Sequence, residues 1–218
     1  MTEKKINTLL FDFDGTLIDT NELIIQSFLA VLDKHYPGRF NREDALHFIG
    51  PSLKQTFESI DPSRVEELIA EYRVFNRAMH DELVEEYDGV VETLRLLKAQ
   101  GLKMAIVSTK ISQTILHGLA LMDVADVFDV IVGLDHVTNP KPHPEPLQLA
   151  LTQLSSSPEE ALMIGDNSHD IEGGKNAGVR TAGVAWAAKG EDYLASFKPD
   201  YMLKHISDLL TLTKEAVK

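Results

Sequence analysis

Two carboxylates one residue apart close an apolar run in Leu9-Leu10-Phe11-Asp12-Phe13-Asp14-Gly15-Thr16. An acid at the end of a buried strand loses hydration, so a cation, a hydrogen-bond network or chemistry must compensate it. Other apolar runs end in comparable groups. Ser108, Thr109 and Lys110 follow one of them, and Lys141 stands in Asn139-Pro140-Lys141-Pro142-His143-Pro144. Asp166 follows Gly165, with Asp170 four residues on. Each alone has an ordinary explanation: a turn pair, a strand-end hydroxyl, a solvated lysine, acids favouring a helix N-terminus. Acids, a hydroxyl and a lysine at the same end of several different strands point instead to a reaction centre.

The elements that must position them follow from the apolar pattern. Thr8 to Phe11, Lys103 to Ser108, Asp129 to Gly133, Ala161 to Gly165, Thr181 to Ala185 and Tyr201 to Leu203 are short apolar runs that predict strands. Helical spacing between them, in Gly89 to Gln100, Pro144 to Leu154 and Ser168 to Ala177, gives the alternation of a parallel α/β sheet. Ligands of such sheets bind beyond the carboxyl ends of the strands.

The first connection is too long for a single crossover helix, which needs about a dozen residues. The stretch between holds helical patterns at Asn21 to Lys34, Arg42 to Phe48, Ser52 to Glu58 and about Pro62 to Glu85. An all-helical cap over residues 17–85, inserted into an α/β core of 1–16 and 86–218, is therefore expected.

Composition narrows the chemistry. The 218 residues include no cysteine, which removes disulfides, thiolate metal sites and cysteine nucleophiles. A formal charge of -13, without a basic cluster, disfavours nucleic acid and anionic lipid as partners. No run approaches the roughly 20 apolar residues of a membrane span. The N-terminus leads directly into a strand, so a cytoplasmic protein is expected.

Asp-x-Asp-Gly-Thr, a strand-end Ser, Lys-Pro-x-Pro and Gly-Asp-x-x-x-Asp, in this order, resemble the four motifs of the haloacid dehalogenase (HAD) superfamily, in its phosphatase branch with a helical cap after the first motif. The resemblance implies a HAD-like Rossmannoid core. Asp12 would be the nucleophile that forms an aspartyl-phosphate, and Asp14 the acid/base. Mg2+ would be held by Asp12, the Asp14 carbonyl and Asp166, since hard oxygen donors suit that ion. Gly15, Ser108, Thr109 and Lys141 would meet the phosphate, with Asp170 orienting Lys141 or metal-bound waters. His143 stands where many relatives carry Asp, a departure that leaves the role of Lys141 intact.

The leaving group should be chosen by the cap. Ile49-Gly50-Pro51-Ser52-Leu53-Lys54 sets a glycine turn and a lysine at a helix start, and Arg73, Asn76, Arg77 and His80 share a spacing of i, i+3, i+4, i+7. Lys54, Arg73 and Arg77 are thus candidates to grip a second phosphate. Cap runs such as Phe48-Ile49-Gly50-Pro51-Ser52-Leu53 and Glu71-Tyr72-Arg73-Val74-Phe75-Asn76 resemble the bacterial PpaX-type inorganic pyrophosphatases, which implies hydrolysis of diphosphate, a small anionic substrate. Phosphoglycolate or another small phosphomonoester is the alternative substrate. A β-phosphoglucomutase-like activity would use the same four motifs. A non-catalytic receiver-like phospho-acceptor domain would carry its acceptor after the third strand and lack the insertion.

Overall fold

A computed structural model describes residues 5–214, and these fall into two compact units: the described residues up to Ile18 with those from Glu86 on, and Asp19–Glu85. The chain runs β1 (Thr8–Phe11), β2 (Ile18–Asp19), α1 (Asn21–His35), α2 (Arg42–His47), α3 (Leu53–Ile60), α4 (Val65–Leu83) and β3 (Glu85–Glu86). It continues through α5 (Val90–Ala99), β4 (Lys103–Val107), α6 (Ser112–Leu121), β5 (Val130–Val132), α7 (Glu145–Leu154), β6 (Ala161–Gly165) and α8 (Ser168–Asn176). The last elements are β7 (Arg180–Val184), α9 (Glu191–Ser196), β8 (Tyr201–Leu203) and α10 (Asp208–Leu212).

The first unit is built on a six-stranded parallel sheet of order β5-β4-β1-β6-β7-β8. Strands covered on both faces need apolar residues at every position, which is why Leu9, Leu10 and Phe11 form an unbroken buried run. Leu10, Ala105, Val107, Val132 and Met163 pack with Leu147 and Leu151 of α7 in one core. From β1 the chain steps outward through β4 and β5, then returns to build β6, β7 and β8 on the other side. That reversal beside β1 makes the carboxyl ends of β4, β1 and β6 the switch point where such sheets bind ligands. Phe11 is in register with Ile106 on one side and Ile164 on the other, so Asp12, Ser108 and Asp166 emerge close together.

A helix not expected from the pattern, α6, braces this edge. A Cβ on its Gly118 would come within 2.6 Å of Cζ of Phe13, the residue between the two acids. The missing side chain lets α6 pack closely on the ring of the residue between Asp12 and Asp14.

The second unit consists of α1 to α4 around Phe28, whose ring lies 5.2 Å from Phe48, 5.4 Å from Phe57 and 4.8 Å from Tyr72. Capping boxes at Asn41 and Ser52 start α2 and α3 by satisfying N–H groups of the first turn. The long helix is shorter than the expected 62–85. Asp61 Oδ1 accepts from the Ser63 N–H at 3.0 Å and its Oγ at 2.6 Å, and this turn delays the start to Val65. Among the described residues no helix is long and apolar enough to cross a membrane.

Candidate active site

Lys141 links the acids. It is 2% exposed, and its Nζ donates to the Val107 carbonyl at 2.7 Å and to Asp170 Oδ1 at 2.6 Å, with Asp12 Oδ1 3.1 Å away. Burial alone would strip its proton, but Asp12 and Asp170 outweigh that and hold its pKa above the ordinary lysine value. Asp170 Oδ2 accepts from the Asn167 N–H at 3.0 Å, so both of its oxygens are engaged. Gly165 makes room for it, because a Cβ there would strike the Asp170 carboxylate.

Asp12 follows β1 directly, and its N–H donates to the Ile164 carbonyl at 2.8 Å. Burial pushes its carboxyl up from 3.8 to about 7; Lys141 opposes the rise while Asp170 and Asp14 add to it. Asp166 is also raised well above the ordinary carboxylate value, by burial first and then by Asp170 and Asp12. Carboxyl oxygens of Asp12, Asp166 and Asp170 lie within 4.8 Å of one another.

These residues fit a hard divalent cation. The donors are all oxygen, the carboxylates are crowded and poorly solvated, and Asp12 Oδ1 is buried without a well-directed hydrogen bond despite its ion pair with Lys141. Since Lys141 and Asn167 already occupy Asp170, Asp12 and Asp166 are the better placed ligands.

Asp14 has a partner whose role the sequence did not disclose. Lys110 Nζ lies 2.5 Å from Asp14 Oδ1 and 5.8 Å from the centre of the Phe13 ring. Ser108 is buried just past β4, and its Oγ accepts from the Lys110 N–H at 3.3 Å; Thr109 beside it is half-buried. The Gly15 N–H donates to the Ile18 carbonyl at 2.9 Å and closes the turn that carries Asp14. Gly15 also contributes sterically: φ is +72°, and a Cβ would run into the Asp166 carboxylate. The turn carrying Asp14 packs against Asp166 only because residue 15 has no side chain.

The helical unit splits the polar stripe read on α4. Arg73 and Arg77 are exposed, whereas Asn76 and His80 are buried on the line of Leu68 and Tyr72. Asn76 Nδ2 donates to Ser27 Oγ of α1 at 3.1 Å, a structural bond that explains the inward turn. Lys54 is exposed on α3, 3.8 Å from Glu58.

A central acid pair, a hydroxyl and a buried lysine at the switch point of a six-stranded parallel sheet define a class of phosphoryl-handling α/β enzymes. Residues 9–184 match the family described as haloacid dehalogenase-like hydrolase, and the chain belongs to it. It is 59% identical over 208 residues to pyrophosphatase PpaX of Bacillus cereus (strain B4264), covering 95% of this chain and 96% of that protein. Among solved structures, a haloacid dehalogenase-like protein of Bacteroides fragilis superposes with a TM-score of 0.88 at 31% identity, covering 94% of this chain and 100% of the other. A β-phosphoglucomutase of Clostridium difficile, 19% identical, shares the fold with a TM-score of 0.81 over 96% of this chain and 98% of the other. A shared fold does not by itself fix the reaction, so the site must decide.

Proposed function

We propose that the chain hydrolyses inorganic pyrophosphate to two phosphates through an aspartyl-phosphate on Asp12, with Mg2+ as cofactor. The observation that carries the substrate is the 59% identity to pyrophosphatases over 95% of the chain and nearly all of theirs. What supports the chemistry is the acid pair with its two lysines.

Asp12 attacks one phosphorus in line, the bridging P–O bond breaks, and the departing phosphate takes a proton from Asp14. Water then attacks the phosphorus of the aspartyl-phosphate, giving its proton to Asp14. The Asp12–phosphorus bond breaks, the second phosphate leaves and the carboxylate is restored. Lys141 offsets charge beside Asp12 in both steps, and Lys110 fixes the Asp14 carboxyl. Ser108 and Thr109 would donate to the transferring phosphoryl. A bound Mg2+, on Asp12, Asp166 and the Asp14 carbonyl, would neutralise the charge of the diphosphate.

Residues 17–85 are assigned as the cap, with Lys54, Arg73 and Arg77 as contributors to leaving-group choice. A small soluble diphosphate substrate fits a cytoplasmic setting. Steady-state rates on pyrophosphate, phosphoglycolate and a hexose phosphate test the reading: pyrophosphate should lead, and a tenfold preference for phosphoglycolate would overturn it. Asp12→Asn should abolish turnover.

A further inference from the structure

The two lysines of the site are held differently. Lys141 is enclosed by Asp12, Asp170 and the Val107 carbonyl, whereas the Lys110 ammonium meets Asp14, whose Oδ1 is 2.5 Å from its Nζ. Among the described residues Asp14 is the acceptor of that ammonium, so two of its three N–H groups are left for other oxygens. The lysine side chain is 14% exposed and the carboxylate 18%, so solvent screens the pair little.

The backbone that carries Lys110 is locked to the neighbouring strand. Val107 of β4 is in register with Val132 of β5, and just beyond them the Leu134 N–H donates to the Lys110 carbonyl at 2.9 Å. Asp135 accepts from the Ser112 N–H at 2.7 Å and from its Oγ at 2.6 Å. A Cβ on Gly133 would lie 2.7 Å from the Ser112 nitrogen and 2.9 Å from the Lys110 oxygen, so the two loops meet only because residue 133 has no side chain. The Lys110 N–H donates to Ser108 Oγ at 3.3 Å, and the ammonium lies 5.8 Å from the centre of the Phe13 ring. A lysine held at both ends has already lost much of the freedom that gripping a ligand would cost it.

In the proposed reaction Asp14 passes a proton to the oxygen that departs, so that oxygen must come within about 2.6–3.2 Å of its carboxyl. An ammonium 2.5 Å from the same carboxyl therefore stands beside the leaving group, whereas Lys141 stands at the nucleophile. In a chain with a net charge of -13, an anionic leaving group needs such a local cation. We propose that Lys110 is a substrate-binding residue that holds the departing phosphoryl group of the diphosphate while it keeps Asp14 in place. This rests on the pyrophosphatase reading above and gives the core a part in leaving-group choice. An uncharged alcohol in the same position would draw little from the ammonium.

The test compares Lys110→Met, Lys110→Gln and Lys110→Arg with the unsubstituted enzyme on pyrophosphate and on phenyl phosphate, whose leaving group is basic but uncharged and so reports any loss that runs through Asp14. Lys110→Met should lose at least about tenfold more in kcat/KM on pyrophosphate than on phenyl phosphate, the size of a hydrogen bond to a charged group. Lys110→Gln keeps a donor for Asp14 without the charge and should show the same gap, and it carries the comparison if circular dichroism finds Lys110→Met unfolded. Lys110→Arg should close most of the gap. Methylenediphosphonate, whose bridge takes no proton, should inhibit Lys110→Gln about tenfold less tightly than the unsubstituted enzyme. Equal losses on the two substrates, or unchanged inhibition by the diphosphonate, would overturn the assignment, because Lys110 would then act through Asp14 alone. An unsubstituted enzyme inactive on pyrophosphate but active on phenyl phosphate would reject the proposed function itself, a result visible before any substitution is made.

Discussion

Replacing Lys141 by Met removes the one cation that touches both Asp12 and Asp170 while keeping most of the side-chain volume. The ammonium is 2% exposed and sits 2.6 Å from Asp170 and 3.1 Å from Asp12, so its loss leaves buried carboxylates facing one another. Breaking a buried charge pair by removing one partner costs about 3–5 kcal/mol. Against a total stability of about 5–15 kcal/mol this is a large share, and at about 2–4 °C per kcal/mol it lowers Tm by about 6–20 °C. Thermal unfolding in EDTA, followed by circular dichroism, measures it directly. Asp170→Asn in the same background removes one of the stranded charges, so the double variant should lose less than the sum of the single losses by about 1–3 kcal/mol. Lys141 also restrains the raised pKa of Asp12, so without it the acid limb of the pH–rate profile should move upward. A Lys141→Met protein within 1 °C of wild type, or strictly additive losses, would refute the assignment of Lys141 as counter-charge.

Gly15→Ala should cost about 1–2 kcal/mol from its left-handed backbone alone, and the collision with Asp166 adds a functional loss. A drop of at least tenfold in kcat/KM with a raised Mg2+ requirement is expected in a metal titration; an unaltered Mg2+ dependence would show that the turn does not set Asp166. Metal-free stability should fall between pH 4 and 7. Asp12 has a folded pKa of about 7 against 3.8 ordinarily, so over that interval the folded state holds a proton the unfolded chain has released. At about 1.4 kcal/mol per unit the ceiling is about 4 kcal/mol, and Asp166 acts in the same direction. Mg2+ should therefore raise Tm more at pH 8 than at pH 5.5, and equal increments by differential scanning calorimetry would contradict the crowded-carboxylate account.

Strands buried on both faces are unbroken apolar runs, and for that reason β1, β4 and β6 and the polar residue after each were readable from the chain alone. The pairings made by those residues belong to space. Lys110 was visible beside Ser108, but its ion pair with Asp14 depends on β4 lying against β1. Helix α6 escaped the apolar pattern because Gly118 interrupts it, and Gly118 is explained only by the distant Phe13 ring that fills its place. The stripe on α4 is split between buried and exposed residues for a related reason. Spacing says which residues share a helix face, but whether Asn76 turns inward depends on Ser27 of another helix accepting its hydrogen bond.

The same distinction orders the electrostatics. A list of motifs counts Asp12, Asp14, Asp166 and Asp170 as four acids, while the structure gives them different surroundings. Asp14 and Asp170 are matched by lysines at 2.5 Å and 2.6 Å. Asp12 shares Lys141 at the longer distance of 3.1 Å, and against its burial Asp166 has the field of that same lysine and a backbone hydrogen bond. The two acids least compensated are the pair that the chemistry would assign to a metal ion, so the charge deficit and the proposed ligand set coincide. If that coincidence is causal, adding a cation should relieve Asp12 and Asp166 together, and the pH-dependent gain in Tm with Mg2+ should vanish in Asp166→Asn while surviving in Lys110→Met.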